Sequence, residues 1–141
     1  MKVRKVEMGR YFLALAEHNS DIIVFLTELA KKHKIMIAAF NAIGALKSAK
    51  LGFYDQEKHW FTETALLNPQ EIACCVGNIS IKEDEPFVHA HAVLVDQNGK
   101  IMAGHLLEGR VFAAEIHLTE LLGERIFRKN DTLTGLSLWD I

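Results

Sequence analysis

Phe87–Gly109, FVHAHAVLVDQNGKIMAGHLLEG, holds three of the chain's seven histidines together with a turn sequence that says how they meet. In extended backbone successive side chains alternate faces, so Val88, Ala90, Ala92 and Leu94 share one face while His89, His91, Val93 and Val95 share the other. Asp96-Gln97-Asn98-Gly99-Lys100 reads as a hairpin turn in which Asn98 and Gly99 supply the positive φ angles that other residues resist. A three-residue loop, Gln97 to Gly99, ending in a glycine bulge pairs Asp96 with Lys100. Counting back sets His91 opposite His105 and His89 opposite Leu107. A two-residue loop would instead pair His105 with Ala92, a four-residue loop with Ala90, and either sends His105 to the other face. The glycine-bulge register is the one that gathers the imidazoles.

Directly paired side chains have Cβ atoms roughly 4.5–5.5 Å apart and diagonal ones about 7–8 Å, within reach of an imidazole. Three neutral imidazoles on a rigid hairpin suit a borderline divalent ion such as zinc, which takes nitrogen at about 2.0–2.1 Å and in open sites leaves a fourth position for water or ligand. No cysteine stands near these histidines in sequence to make a fourth protein ligand, so an open site at His89, His91 and His105 is expected. The plainer reading makes them polar residues on a half-exposed strand, and the register decides between the two.

Outward from the hairpin, Tyr11–Ala16 reads as a strand, and Asn19 or Ser20 as the cap of a helix with Asp21 at its positive end and Ile22, Leu26 and Leu29 along one face. Lys31, Lys32, His33 and Lys34 suit its C-terminus. Beyond it come short apolar runs: 35–40, 45–54, 60–66, 71–81 and 111–121. In the last, Phe112, Ala114, Ile116 and Leu118 alternate with more polar residues as in a half-buried strand. Turns are expected at 55–58 and 82–86, a last strand and an apolar arm within 125–141, and Gly44 as a tight position between strands. Many consecutive strands and one helix make the class α+β, a twisted and largely antiparallel sheet packed by one main helix.

PFVHAHAVLVDQNGKIMAGHLLEG resembles the signature of the plant and prokaryote conserved domain, and the resemblance extends through NAIGALKSAKLGFYD (Asn41 to Asp55) and EIACCVGNIS (Glu71 to Ser80). It implies an antiparallel sheet packed by a helix, an architecture like that of acetolactate decarboxylase, assembly as a homotrimer, and a metal at His89, His91 and His105, which match the metal-binding positions of metal-containing relatives. Because it includes their segment, Asn41 and Gly44 are candidates to line the cleft. Plant members bind DNA largely through accompanying AT-hooks, and this sequence contains no Arg-Gly-Arg-Pro core.

The 141 residues, half of them apolar, fit one domain spanning 1–141 with an ample core. Sixteen basic against eighteen acidic residues give a net charge of −2, which offers no general attraction to nucleic acid or an anionic membrane. No apolar run of spanning length and no signal-peptide pattern occurs, so a cytoplasmic protein is expected. Cys74 and Cys75, adjacent in a strand-like run, point to opposite faces and read as buried thiols and not a redox pair. Phosphate loops and nucleophile elbows are absent. Glu108 is the nearest acid to the histidines and the candidate acid/base or ligand-orienting group, while Asn78 and Ser80 are candidates to hydrogen-bond from a neighbouring strand. The expected function is a divalent metal acting as a Lewis acid on a small keto or hydroxy acid. The alternative is a regulatory or DNA-associated module whose metal is structural or sensory.

Overall fold

The computed structural model describes residues 2–141. Along the chain run β1 (Glu7–Ala16), α1 (Ile22–His33), β2 (Ala38–Asp55), β3 (Trp60–Leu66), β4 (Gln70–Lys82), β5 (Glu85–Asp96), β6 (Ile101–Leu122), β7 (Phe127–Asn130) and β8 (Ser137–Asp140). The strands form one sheet in the order β3-β2-β6-β5-β4-β7-β8, with β1 on β6 and a further β2–β4 pairing that closes β2, β6, β5 and β4 into a ring. Among the described residues every strand pairing is antiparallel except the single parallel bridge Ile81–Phe127 between β4 and β7.

Two strands are longer than the sequence suggests, and bulges explain both. Residues 38–40 of the first run and the run 45–54 are joined in the 18-residue β2, with Gly44 inside the strand at a bulge rather than between strands. Gly44 has φ +136°, and a Cβ there would run into the Ala113 carbonyl, so the bend needs glycine. The 22-residue β6 likewise continues the histidine hairpin into the run 111–121. Against β2 its register skips Phe112, because Ala45 pairs with Ala113 and Leu46 with Val111. That extra residue reverses the facing: Val111, Ala114, Ile116 and Leu118 are buried, whereas Phe112, expected inside, is exposed.

Bending the sheet wraps its apolar side round the helix, and Ile22, Leu26 and Ala30 of α1 join Phe40, Ala92, Leu94 and Ile116 in one buried cluster. Leu29, expected on that stripe, is only partly buried. The cap is Asp21, not Asn19 or Ser20. Asn19 lies in the left-handed region at φ 68° and turns the chain, and Ser20 N–H donates to the Glu17 carbonyl at 3.0 Å. Asp21 Oδ1 accepts from Ile23 N (2.9 Å) and Val24 N (3.0 Å), while Oδ2 accepts from Gly109 N at 2.7 Å, tying the helix start to the bend in β6. We expect Asp21→Ala to cost about 2–3 kcal/mol in urea unfolding, the sum of a lost cap and a stranded amide. A cost near zero would show that water replaces both partners.

The turns fall where expected. Asp55 Oδ1 accepts from the amides of Glu57 and Lys58, and Glu83 and Asp84 take the positive φ angles of a tight hairpin. The acids at 83–85 are exposed, with Glu85 reaching Lys31 at 2.9 Å. The C-terminal segment is a hairpin, β7–β8, rather than a strand followed by an arm. Among the described residues no helix is long and apolar enough to cross a membrane.

Candidate metal centre

The hairpin that carries the histidines closes in the glycine-bulge register. Asp96 N–H donates to the Lys100 carbonyl (3.0 Å) and Gly99 N–H to the Asp96 carbonyl (2.9 Å), with Gly99 at φ +77°. Asp96 Oδ1 locks the loop by accepting from Asn98 N and Lys100 N. His91 therefore stands directly opposite His105. The ladder between β5 and β6 ends at that pair, because Leu107 is the extra residue of a bulge where Lys50 pairs with Glu108 and Leu51 with Leu106. The expected pair His89–Leu107 is thus not formed, and the residue paired with His89 is Asn78 on β4.

His89, His91 and His105 nevertheless converge. Their ring centroids are 5.2 Å apart for His89–His91, 4.7 Å for His89–His105 and 5.1 Å for His91–His105. One nitrogen from each lies within 4.8 Å of the others. Three nitrogens held tetrahedrally at about 2.0–2.1 Å from zinc would sit roughly 3.3 Å apart, so modest side-chain rotations close the set. Burial, then the neighbouring rings and Arg128, pushes His89 down to about 4; burial, then His91 and Arg128, pushes His105 to about 4 as well. Both are neutral near pH 7 and keep the lone pairs that ligation needs. These three residues could hold a metal ion.

Arg128 of β7 closes one side. Its Nε donates to Ser80 Oγ (2.8 Å), Nη1 to the Ser137 carbonyl (2.8 Å) and Nη2 to Asn78 Oδ1 (2.9 Å), with Nη2 also 3.3 Å from His89 Nδ1. An ion on Nε2 of His89 would leave the ring hydrogen on Nδ1, and the Arg128 contact would then give way. The histidines open onto a cleft of about 750 Å³ whose apolar walls are Tyr54, Phe61, Phe87, Leu136 and Leu138. Tyr54 anchors the far hairpin by donating from its hydroxyl to the Thr134 carbonyl at 2.7 Å. Lys82 and Arg128 lie over the Phe87 ring at 5.4 and 4.9 Å. Among the described residues no carboxylate lines this cleft, and neither cation has a carboxylate partner.

Of the other candidates, Asn78 and Ser80 reach the site through Arg128. Asn41 shares a row with His91 across Val76, two strands away, and does not line the cleft. Gly44 serves the bulge in β2, and Glu108 is ion-paired with Lys50 beside a separate hollow. Arg128, Lys82, Tyr54 and Phe61 had not been singled out from sequence. A signal existed for the hairpin bearing Arg128: Asp131 to Gly135 is a turn in which Asp131 Oδ2 accepts from Thr134 N and Gly135 has φ +69°.

An antiparallel sheet bent round one helix, with three imidazoles converging beside an open cleft, defines an α+β protein able to hold a metal through histidine nitrogens. The chain belongs to the Plants and Prokaryotes Conserved domain family, whose pattern matches residues 3–122. A metal-containing protein from Archaeoglobus fulgidus is 39% identical, covers 99% of both chains and superimposes with TM-score 0.95. A plant- and prokaryote-conserved protein from Pyrococcus horikoshii is 38% identical over 100% of this chain and 98% of its own, with TM-score 0.94. A candidate DNA-binding protein from Ralstonia eutropha is 27% identical over 94% of this chain and 96% of its own, with TM-score 0.82. In fold alone the likeness reaches a Staphylococcus aureus protein similar to alpha-acetolactate decarboxylase, at 13% identity over 81% of this chain and 53% of that one, with TM-score 0.51. No curated protein matches the chain.

Proposed function

We propose that the chain is a single domain that holds a divalent ion, zinc, through His89, His91 and His105, and that this ion serves as a Lewis acid toward a keto or hydroxy acid. The observation that carries the reading is the convergence of three imidazoles, two of them held neutral, at the edge of a cleft that no carboxylate lines among the described residues. A bound ion would polarise a substrate carbonyl or alkoxide oxygen at its open position. The chain's own part is to orient and select: Arg128 and Lys82 attract an anion, and the apolar walls offer a packing surface to the rest of the ligand. Glu108 has no part in this reading, since its carboxylate is engaged by Lys50.

Elemental analysis of untagged protein purified without added metal should give about one zinc per chain. Restoring zinc to chelated protein should then raise stability by about 2.7 kcal/mol at a free concentration one hundred times Kd, a rise in Tm of roughly 10 °C. No metal and no uptake would sink the reading.

The proposal includes a cytoplasmic homotrimer. The outer sheet face supports self-assembly, because Leu13, His117, Asn41, Val76 and His91 form one cross-strand row and Tyr11, Leu15, Ile43 and Phe112 are exposed apolar residues. Light scattering of the eluting protein should give three times 15.9 kDa. Cys74 and Cys75 are both free, Cys75 buried as expected but Cys74 exposed on the opposite face, and such thiols suit a reducing compartment. The alternative, a regulatory or DNA-associated module with a structural metal, is favoured by the Ralstonia relative. A mobility shift of duplex DNA that persists at about 150 mM salt would select it over the enzyme.

A further inference from the structure

We infer that the acid this site accepts carries a planar apolar body, so that the preferred ligand is an α-hydroxy or α-keto acid with an aryl group and not a two- or three-carbon acid. The inference rests on the metal reading above and narrows its ligand. Volume is the first argument. With a liquid share of about 30 Å³ per water, the cleft of about 750 Å³ corresponds to roughly 25 waters, and a three-carbon acid would leave most of it filled with solvent. Pockets of roughly 300–1,000 Å³ are those that enclose drug-sized ligands.

The lining is the second argument, because it is divided by chemistry. On one side Arg128 and Lys82 hold positive charge that no carboxylate neutralises among the described residues, both lying against the Phe87 ring. On another, Phe61 stands 5.3 Å from the His105 ring and 4.9 Å from Tyr54, centroid to centroid. An aryl ring whose neighbouring oxygen lies at the histidines can pack on Phe61 and Tyr54 in offset or edge-on fashion. Its carboxylate is then drawn toward the cations. Leu136 and Leu138 of the C-terminal hairpin complete the apolar enclosure.

The test is calorimetric titration of the zinc-loaded full chain, its zinc content measured on the same sample, with mandelate, glycolate and uncharged 1-phenylethane-1,2-diol. Mandelate and glycolate share the chelating oxygens and differ by the phenyl ring; the diol keeps the ring and loses the charge. We expect mandelate to bind at least tenfold more tightly than either. Phe61→Ala should bring mandelate to within threefold of glycolate, and Lys82→Gln should weaken both acids several-fold with zinc content unchanged. Zinc present with glycolate equal to mandelate overturns the inference alone, as does a diol that binds like mandelate. A chain that takes up no zinc overturns this inference together with the reading beneath it.

Discussion

His105→Ala should purify folded, elute like the parent and contain no stoichiometric metal. In the proposed site three imidazoles would supply the protein ligands, so removing one would leave two nitrogens and water. Loss of a group that merely orients a ligand costs 10–100-fold in metal affinity, so loss of a ligand should cost at least about a hundredfold. Folding should survive, because the ring is half-buried at the end of the β5–β6 ladder and takes part in no side-chain hydrogen bond among the described residues. The matched control is His18→Ala, whose Nδ1 lies against the Phe112 carbonyl at 2.8 Å, away from the cleft. It should keep the parent's metal content. A His105→Ala protein that retains one ion per chain would place the metal elsewhere.

The part of this site that the sequence discloses is the part governed by local geometry. Asp96 to Lys100 encodes its own loop type, and because strand side chains repeat every second residue, that loop fixes His91 against His105. What the sequence conceals depends on elements remote along the chain. Arg128 arrives through one parallel bridge at Ile81–Phe127, a contact with no periodic trace, and Phe61 arrives because β2 turns at Asp55 and brings β3 back over Gly52. The fold class was likewise legible from the single helical stripe and the run of short apolar segments. Strand continuity was not, since bulges at Gly44 and Phe112 reverse the facing pattern within a strand and imitate a break between two. Asp21 and Asn19 illustrate the same limit on a smaller scale. Either side chain can cap, and the left-handed turn at Asn19 moves the helix start two residues on.

Gly77→Ala should damage the fold and the metal site together. Gly77 sits in β4 between Phe40 of β2 and Ala90 of β5, in the ring of strands that encloses the core. A Cβ at this position would overlap the His89 carbonyl oxygen and the edge of the Phe40 ring. The ring has little room to retreat, being only 5% exposed. The backbone of β5 must therefore move away from β4 at His89. Overpacking of this kind costs about 1–3 kcal/mol, and with one of the two obstacles being backbone we expect about 3 kcal/mol in urea unfolding. The displacement acts at the candidate ligand farthest from the closed hairpin turn: His91 is paired with both β4 and His105 of β6, whereas His89 is paired with β4 alone. Zinc affinity should fall by tenfold or more even in protein that is fully folded. The two readouts separate this substitution from a general loss of stability, for which Leu26→Ala in α1 is the comparison, costing about 2–5 kcal/mol while leaving the histidines in register. If Gly77→Ala matches the parent in zinc affinity, β4 does not set the position of His89, and the site owes its geometry to the hairpin alone.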